Sequence, residues 1–377
     1  MKATGLFLVM ITSLFFSCTG GSSPLAHGEG GDTLSLRYAT LLCVVEHGTY
    51  TEVTIKDPWN EGQSLARYAL VPYGEEGDAY LRKETFPPDL QVVRVPIRRA
   101  VVFTSPHCSL FYELGAGEAI AGVCDLQYIN LPELRARKDI VDCGSSMSPD
   151  IERLVEARSD ALFVSPFENA GYGKLPQTGI PIIVTADYME TSALGRAEWC
   201  RFYGMLLGKR EKADRFFREV DSSYQELRAQ ARRLPQGRTI LTERKTGNVW
   251  YCPGGKSTTG GMLADAHAGY AFSSDTHAGS LALSAEQVIE SASDVEVWAF
   301  KYNGGKPMTR ERLLEEYHGY RELRAFRTGE IYECDVNASR FFEEISFHPD
   351  YLLRDFILLA HPGELPGSLR YYEKLDE

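Results

Sequence analysis

The sequence predicts an α/β protein: two parallel-sheet α/β lobes joined by a long rigid helix, with a strand-rich N-terminal extension. Three observations point there. Short apolar strands alternate with helical patterns over residues 99–188 and again over 235–377, which is how βαβ units read. Between them, residues 189–234 carry an apolar stripe at three- and four-residue steps, the period of one helix face. One helix-strand unit also occurs twice. "IERLVEARSDALFV" (151–164) and "EQVIESASDVEVWAF" (286–300) both run Glu, Glu four later, Ser seven later, Asp eight later, then an apolar strand.

The first residues, "MKATGLFLVMITSLFFSC", place one lysine before an apolar run too short to span a bilayer, so residues 1–17 read as an export signal. Ser17 and Cys18, followed by "TGGSSPLAHGEGG", resemble the lipobox of a bacterial lipoprotein. That resemblance implies acylation of Cys18, a flexible tether over 18–32, and a protein lipid-anchored to a membrane facing the bacterial periplasm. At 377 residues, 44% apolar and 24% charged, the chain can bury two cores. A net charge of −12 without clustered Lys or Arg argues against nucleic acid or an anionic lipid surface as partner.

Residues 33–98 alternate apolar and polar positions about a turn at His47-Gly48 and read as the strand-rich extension. The N-terminal lobe, 99–188, opens with "AVVFTS" and runs through "AGVCD", "DALFVS" and "IPIIVTA". The stretch 189–234 reads as helical throughout. Its stripe Ala213, Phe216, Phe217, Val220, Tyr224, Leu227, Ala231 and Leu234 is about 30 Å long at about 1.5 Å per residue, enough to cross between lobes. The C-terminal lobe, 235–377, resumes with "RTILTE" and closes with a helix after Pro349. Cys43, Cys108, Cys124, Cys143, Cys200, Cys252 and Cys334 lack metal-ligand spacing, so no metal centre is expected. One or two disulfides are compatible with export, but the odd number leaves a thiol free unless chains pair.

Three segments, "SPDIERLVEARSDALF", "WYCPGGKS" with "MLADAHAGY", and "FHPDYLLRDF" with "HP", make residues 95–363 resemble the helical-backbone class of periplasmic substrate-binding proteins for iron chelates and cobalamin. The resemblance implies a monomer that is not an enzyme and needs no cofactor of its own. It would carry a small-molecule metal chelate to an ABC permease dimer. In that class an acidic residue at the start of the corresponding helix of each lobe docks on arginines of the permease, which places the roles on Glu152 and Glu286. A carboxylate in a first helical turn is also favoured by the helix dipole.

The ligand is then expected in the inter-lobe cleft, outside the carboxyl ends of the strands. The segments there are "SPHC", "DLQY", "GSSM", "PFENAGY", "VWYCPGGKS", "KYNGG" and "NASRFF". Their aromatic residues Tyr128, Phe167, Tyr172, Trp250, Tyr251, Tyr302, Phe341 and Phe342 suit a broad, partly apolar ligand such as a siderophore complex, haem or cobalamin. Ser146 and Met147 join them. His107 and Tyr128 are candidates for an axial bond to iron or cobalt, and Arg340 and Lys256 for pairing with chelate carboxylates. Ser145, Ser146 and Met147 stand where a resemblance to the cobalamin binders implies a tryptophan, so an iron complex ranks first and cobalamin second. A tetrapyrrole metal chelatase is the alternative of another class. It would require His107 or His277 to converge with Glu168 or Asp275.

Overall fold

The computed structural model describes residues 31–304 and 306–375. The export signal, Cys18, and the tether up to residue 30 lie outside the described residues. So does Gly305.

The extension is a five-stranded sheet in sequential order, Asp32–Thr33, Leu42–Glu46, Thr51–Lys56, Ser64–Pro72 and Leu90–Val95. The last two strands run parallel and are joined by a helix, Glu75–Lys83, where alternation alone suggests only strands. Glu75, Glu76 and Asp78 in its first turn and Arg82 and Lys83 in its last match the helix dipole, a signal that could have found it. One sheet face is apolar (Leu42, Val44, Val53, Ile55, Tyr68, Leu70) and belongs to the same core as the N-terminal lobe.

Polar ties hold the extension to that core. The Tyr68 hydroxyl accepts the Val184 N–H at 2.8 Å and donates to the Ile182 carbonyl at 2.9 Å. The buried Glu198 carboxylate accepts the N–H groups of Arg37, Tyr38 and Ala39 at 3.0, 2.8 and 2.9 Å, and Glu190 accepts those of Thr40 and Leu41. The oxygens of two buried carboxylates therefore satisfy backbone donors of the strap that leads into the sheet.

The N-terminal lobe is a fully parallel sheet in the order Ile182–Val184, Ala161–Val164, Ala100–Val102, Ile120–Val123, Val141–Asp142. The C-terminal lobe has three parallel strands, Ile240–Thr242, Val297–Tyr302 and Ile331–Asp335, edged by antiparallel Glu373–Lys374. It also carries an antiparallel sheet of Lys245–Thr246, Val249–Pro253 and Ser280–Leu283, so the first part of the expected cleft segment "VWYCPGGKS" is itself a strand.

The connector is not one helix. It comprises Ala193–Glu198, Cys200–Leu206 and the 22-residue Arg210–Ala231. Gly208, at φ +64°, turns the chain between the last two, and the missing side chain of Gly204 lets them close, since a Cβ there would stand 2.4 Å from that of Ala213. The apolar stripe from Ala213 to Ala231 is buried as its period requires, and the long helix spans about 33 Å. All seven cysteines among the described residues are free, and all but Cys43 are buried, where they pack as small apolar side chains. No helix among the described residues is long and apolar enough to cross a membrane.

Candidate functional site

The N-terminal lobe strands end on one edge and deliver Phe103, Thr104, Cys124, Asp125 and Ser165 there. With Phe342, Ile345 and Ser346 from the C-terminal lobe facing them, these residues enclose a cleft of 470 Å³. That is the size of an ordinary small-molecule pocket. "SPHC" is not a loop: it forms the first turn of the helix Ser105–Glu113, with Thr104 before it and Pro106 in the first turn, where a missing N–H costs nothing.

A buried polar network supports the cleft. His107 is almost fully buried. Its Nδ1 hydrogen-bonds the Thr104 hydroxyl, and its Nε2 meets Asp187 Oδ1 at 2.8 Å and the Tyr203 hydroxyl at 3.0 Å. Both ring nitrogens are thus engaged, which corrects the expectation of an axial ligand at this position: no lone pair faces the cleft. Asp187 has no exposed surface and also accepts from the Tyr203 hydroxyl at 2.8 Å and from Arg196 Nε at 3.3 Å. Burial alone would raise the Asp187 carboxyl, but its interactions with His107 and Arg196 and the hydrogen bonds from His107 and Tyr203 hold it below the usual carboxylate range.

Arg196 is the cationic side chain of the lining. It comes from the first connector helix and is 24% exposed, with Nε turned to Asp187. Neither Arg196 nor Asp187 is marked in the sequence. "ADYMETSALGR" carries no spacing that marks them, and the one available signal was an Asp directly after an apolar strand end.

Of the residues expected to meet ligand, His107, Tyr128 and Ser146 line the cleft. Tyr128 is 63% exposed at its mouth, and the Ser146 N–H donates to Asp125 Oδ2 at 3.2 Å. Phe342 lines the opposite wall and is also exposed. Met147 and Phe167 are exposed on the turns next to Ser146 and Ser165, outside the lining. Tyr251 is exposed beside a separate 410 Å³ hollow of the C-terminal lobe, with Glu243 and Arg244; Lys256 is exposed and lines neither hollow.

Several expectations are corrected. Trp250 is fully buried against Trp298 and Tyr320, because inward and outward positions alternate along Val249–Pro253 and Tyr251 takes the outward one. Tyr302 ends a central strand inside the same core. Phe341 is buried edge-to-face on Tyr371, and it is Phe342, one helical step on, that reaches the cleft. Tyr172 is half-buried in a groove between the extension and the N-terminal lobe. Arg340 already pairs with Glu133 of the N-terminal lobe at 3.3 Å.

That pair belongs to a seam between the lobes. The Asn130 N–H donates to Glu343 Oε1 at 2.8 Å, and its side-chain amide donates to the Ala338 and Ser339 carbonyls at 3.1 and 2.9 Å. Burial raises the Glu343 carboxyl above its usual range. His277 and Asp275 meet at 3.1 Å, but on an exposed segment, whereas the carboxylate partner of His107 is Asp187.

The repeated glutamates occupy equivalent places. Glu152 follows the cap Asp150 in the helix Ile151–Glu156, and Glu286 follows Ser284 in Ala285–Ala292, where Ser284 and Gln287 form a capping box. Both are exposed, and neither lines the cleft. Hydrogen bonds accepted from its own N–H and from the Ser284 hydroxyl hold the Glu286 carboxyl below its usual range, so it stays ionised at the surface.

Residues 101–338 match the family model described as periplasmic binding protein. An uncharacterised lipoprotein of Methanocaldococcus jannaschii is 21% identical over 99% of this chain and 95% of its own length. A periplasmic haem-binding protein from Pseudomonas aeruginosa superposes with a TM-score of 0.58 at 17% identity, covering 74% of this chain and 99% of its own. A siderophore-binding protein from Vibrio cholerae, solved with Fe3+-Desferal bound, gives 0.54 at 13% identity, over 70% of this chain and 99% of that one. These likenesses establish the two-lobed fold.

Proposed function

The chain belongs to the periplasmic binding protein family, and from that membership we propose that it captures an iron complex, a siderophore chelate or haem, in the inter-lobe cleft and delivers it to an ABC importer. The observation that carries this reading is the cleft itself: Tyr128 and Phe342 expose aromatic rings from opposite lobes over a cavity that also holds a guanidinium. Exposed aromatic side chains normally cost solvation, so two of them at one concave site point to a broad apolar partner. The haem- and siderophore-binding proteins that share the fold support that ligand class.

Titrating the purified protein with haem, ferric siderophores and cobalamin, followed by visible absorption, tests it. One of the iron complexes is expected to bind, and Tyr128→Ala and Phe342→Ala are each expected to weaken it by about 1–2 kcal/mol, as for a truncated aromatic anchor. Binding of cobalamin alone, or of none of these, would refute the iron reading.

The lipoprotein nature of the relative supports anchoring through Cys18 at the outer face of a membrane. Cys18→Ala is expected to move the protein out of the membrane fraction on cell fractionation. Persistence of an acylated membrane-bound form would rule out this anchor.

A further inference from the structure

Among the residues that line the cleft, the charged side chains are Asp125, Asp187 and Arg196. Asp187 is wholly buried and its oxygens are taken by His107, Tyr203 and Arg196, so it acts on the guanidinium and not on a ligand. Arg196 spends only Nε on this contact, at 3.3 Å. Its two terminal nitrogens, with four N–H donors, have no protein acceptor among the described residues, and neither is a sealed-off unsatisfied atom. They open to the cleft. A guanidinium tethered at Nε by a buried carboxylate has given up part of its side-chain freedom before a ligand arrives, which lowers the entropy cost of gripping an anion. Asp125 has the opposite sign but is tied to the Ser146 N–H, so the cleft is charged differently on different walls rather than uniformly repelling anions.

Resting on the iron-complex reading, we infer that the captured ligand carries a carboxylate at its periphery and that Arg196 grips it through its terminal nitrogens, so that the cleft selects against neutral chelates. Planar fork-to-carboxylate pairing is the geometry that the two terminal nitrogens of a guanidinium offer. The aromatic rings of Tyr128 and Phe342 then hold the body of the ligand, and Arg196 sets its orientation.

Two matched pairs of probes test this on the whole protein without requiring a variant: haem against haem dimethyl ester, in which the same macrocycle has its carboxylates masked, and a ferric trihydroxamate that carries a peripheral carboxylate against its neutral methyl ester. The carboxylate member of at least one pair is expected to bind about ten-fold or more tighter, the scale of a hydrogen bond to a charged group. Arg196→Gln is expected to erase that preference by weakening only the carboxylate probe, and Arg196→Lys to restore part of it. The two pairs also separate a tetrapyrrole carboxylate from a siderophore carboxylate. Equal or tighter binding of the neutral members, or equal weakening of both members by Arg196→Gln, overturns the inference while leaving the iron-complex reading intact. Failure of every iron complex to bind removes both.

Discussion

Asp187→Ala is expected to lower stability by about 3–5 kcal/mol, because it removes the buried carboxylate on which three hydrogen-bonding groups converge. His107 Nε2, the Tyr203 hydroxyl and Arg196 Nε all converge on that carboxylate, which has no exposed surface. The loss should fall toward the lower end, since Arg196 is partly exposed and can recover water. Asp187→Asn keeps the shape and isolates the charge. The native carboxyl is held below its unfolded range, so its stabilisation is complete above the ordinary carboxylate pKa and drains away as pH falls through the lowered folded value. Urea unfolding of the native protein and of the Asp187→Asn variant at about pH 7 and about pH 3 should therefore show a stability gap that narrows in acid. A gap independent of pH would mean that the carboxyl is not ionised in the fold.

Loss of both Glu152 and Glu286 is expected to abolish most uptake while leaving ligand affinity unchanged. Both carboxylates are exposed on first helical turns and lie outside the cleft lining, so Glu152→Ala and Glu286→Ala remove surface charge without touching the network around Asp187. If each pairs with an arginine of a two-fold permease, each alanine leaves that arginine unpaired, at about 2–5 kcal/mol for a desolvated pair and much less at a wet rim. Charge reversal to arginine should hurt more than alanine, and reversing the permease arginines as well should recover part of the loss. The decisive comparison is ligand binding by the purified double variant against uptake by whole cells that carry it. Normal uptake would reduce the two glutamates to ordinary helix-start electrostatics.

Local patterns made the lobes, the extension and both glutamate-bearing helix starts legible in the sequence, because each rests on contacts within a few residues: strand alternation, the 3.6-residue stripe from Ala213 to Ala231, and the caps Asp150 and Ser284. The same patterns made one helix of the connector, since a period cannot show that Gly204 and Gly208 let two helices fold back on each other. The candidate site was legible only in its location. Which aromatic residue reaches the cleft depends on which face its element turns outward, so adjacent residues part company: Trp250 packs on Trp298 while Tyr251 is exposed, and Phe341 packs on Tyr371 while Phe342 lines the cavity. Its polar centre required the folded chain altogether. His107 and Asp187 stand 80 residues apart and are brought together because the parallel sheet delivers the strand ends before them to one edge, while Tyr203 and Arg196 come from the connector helices that pack there.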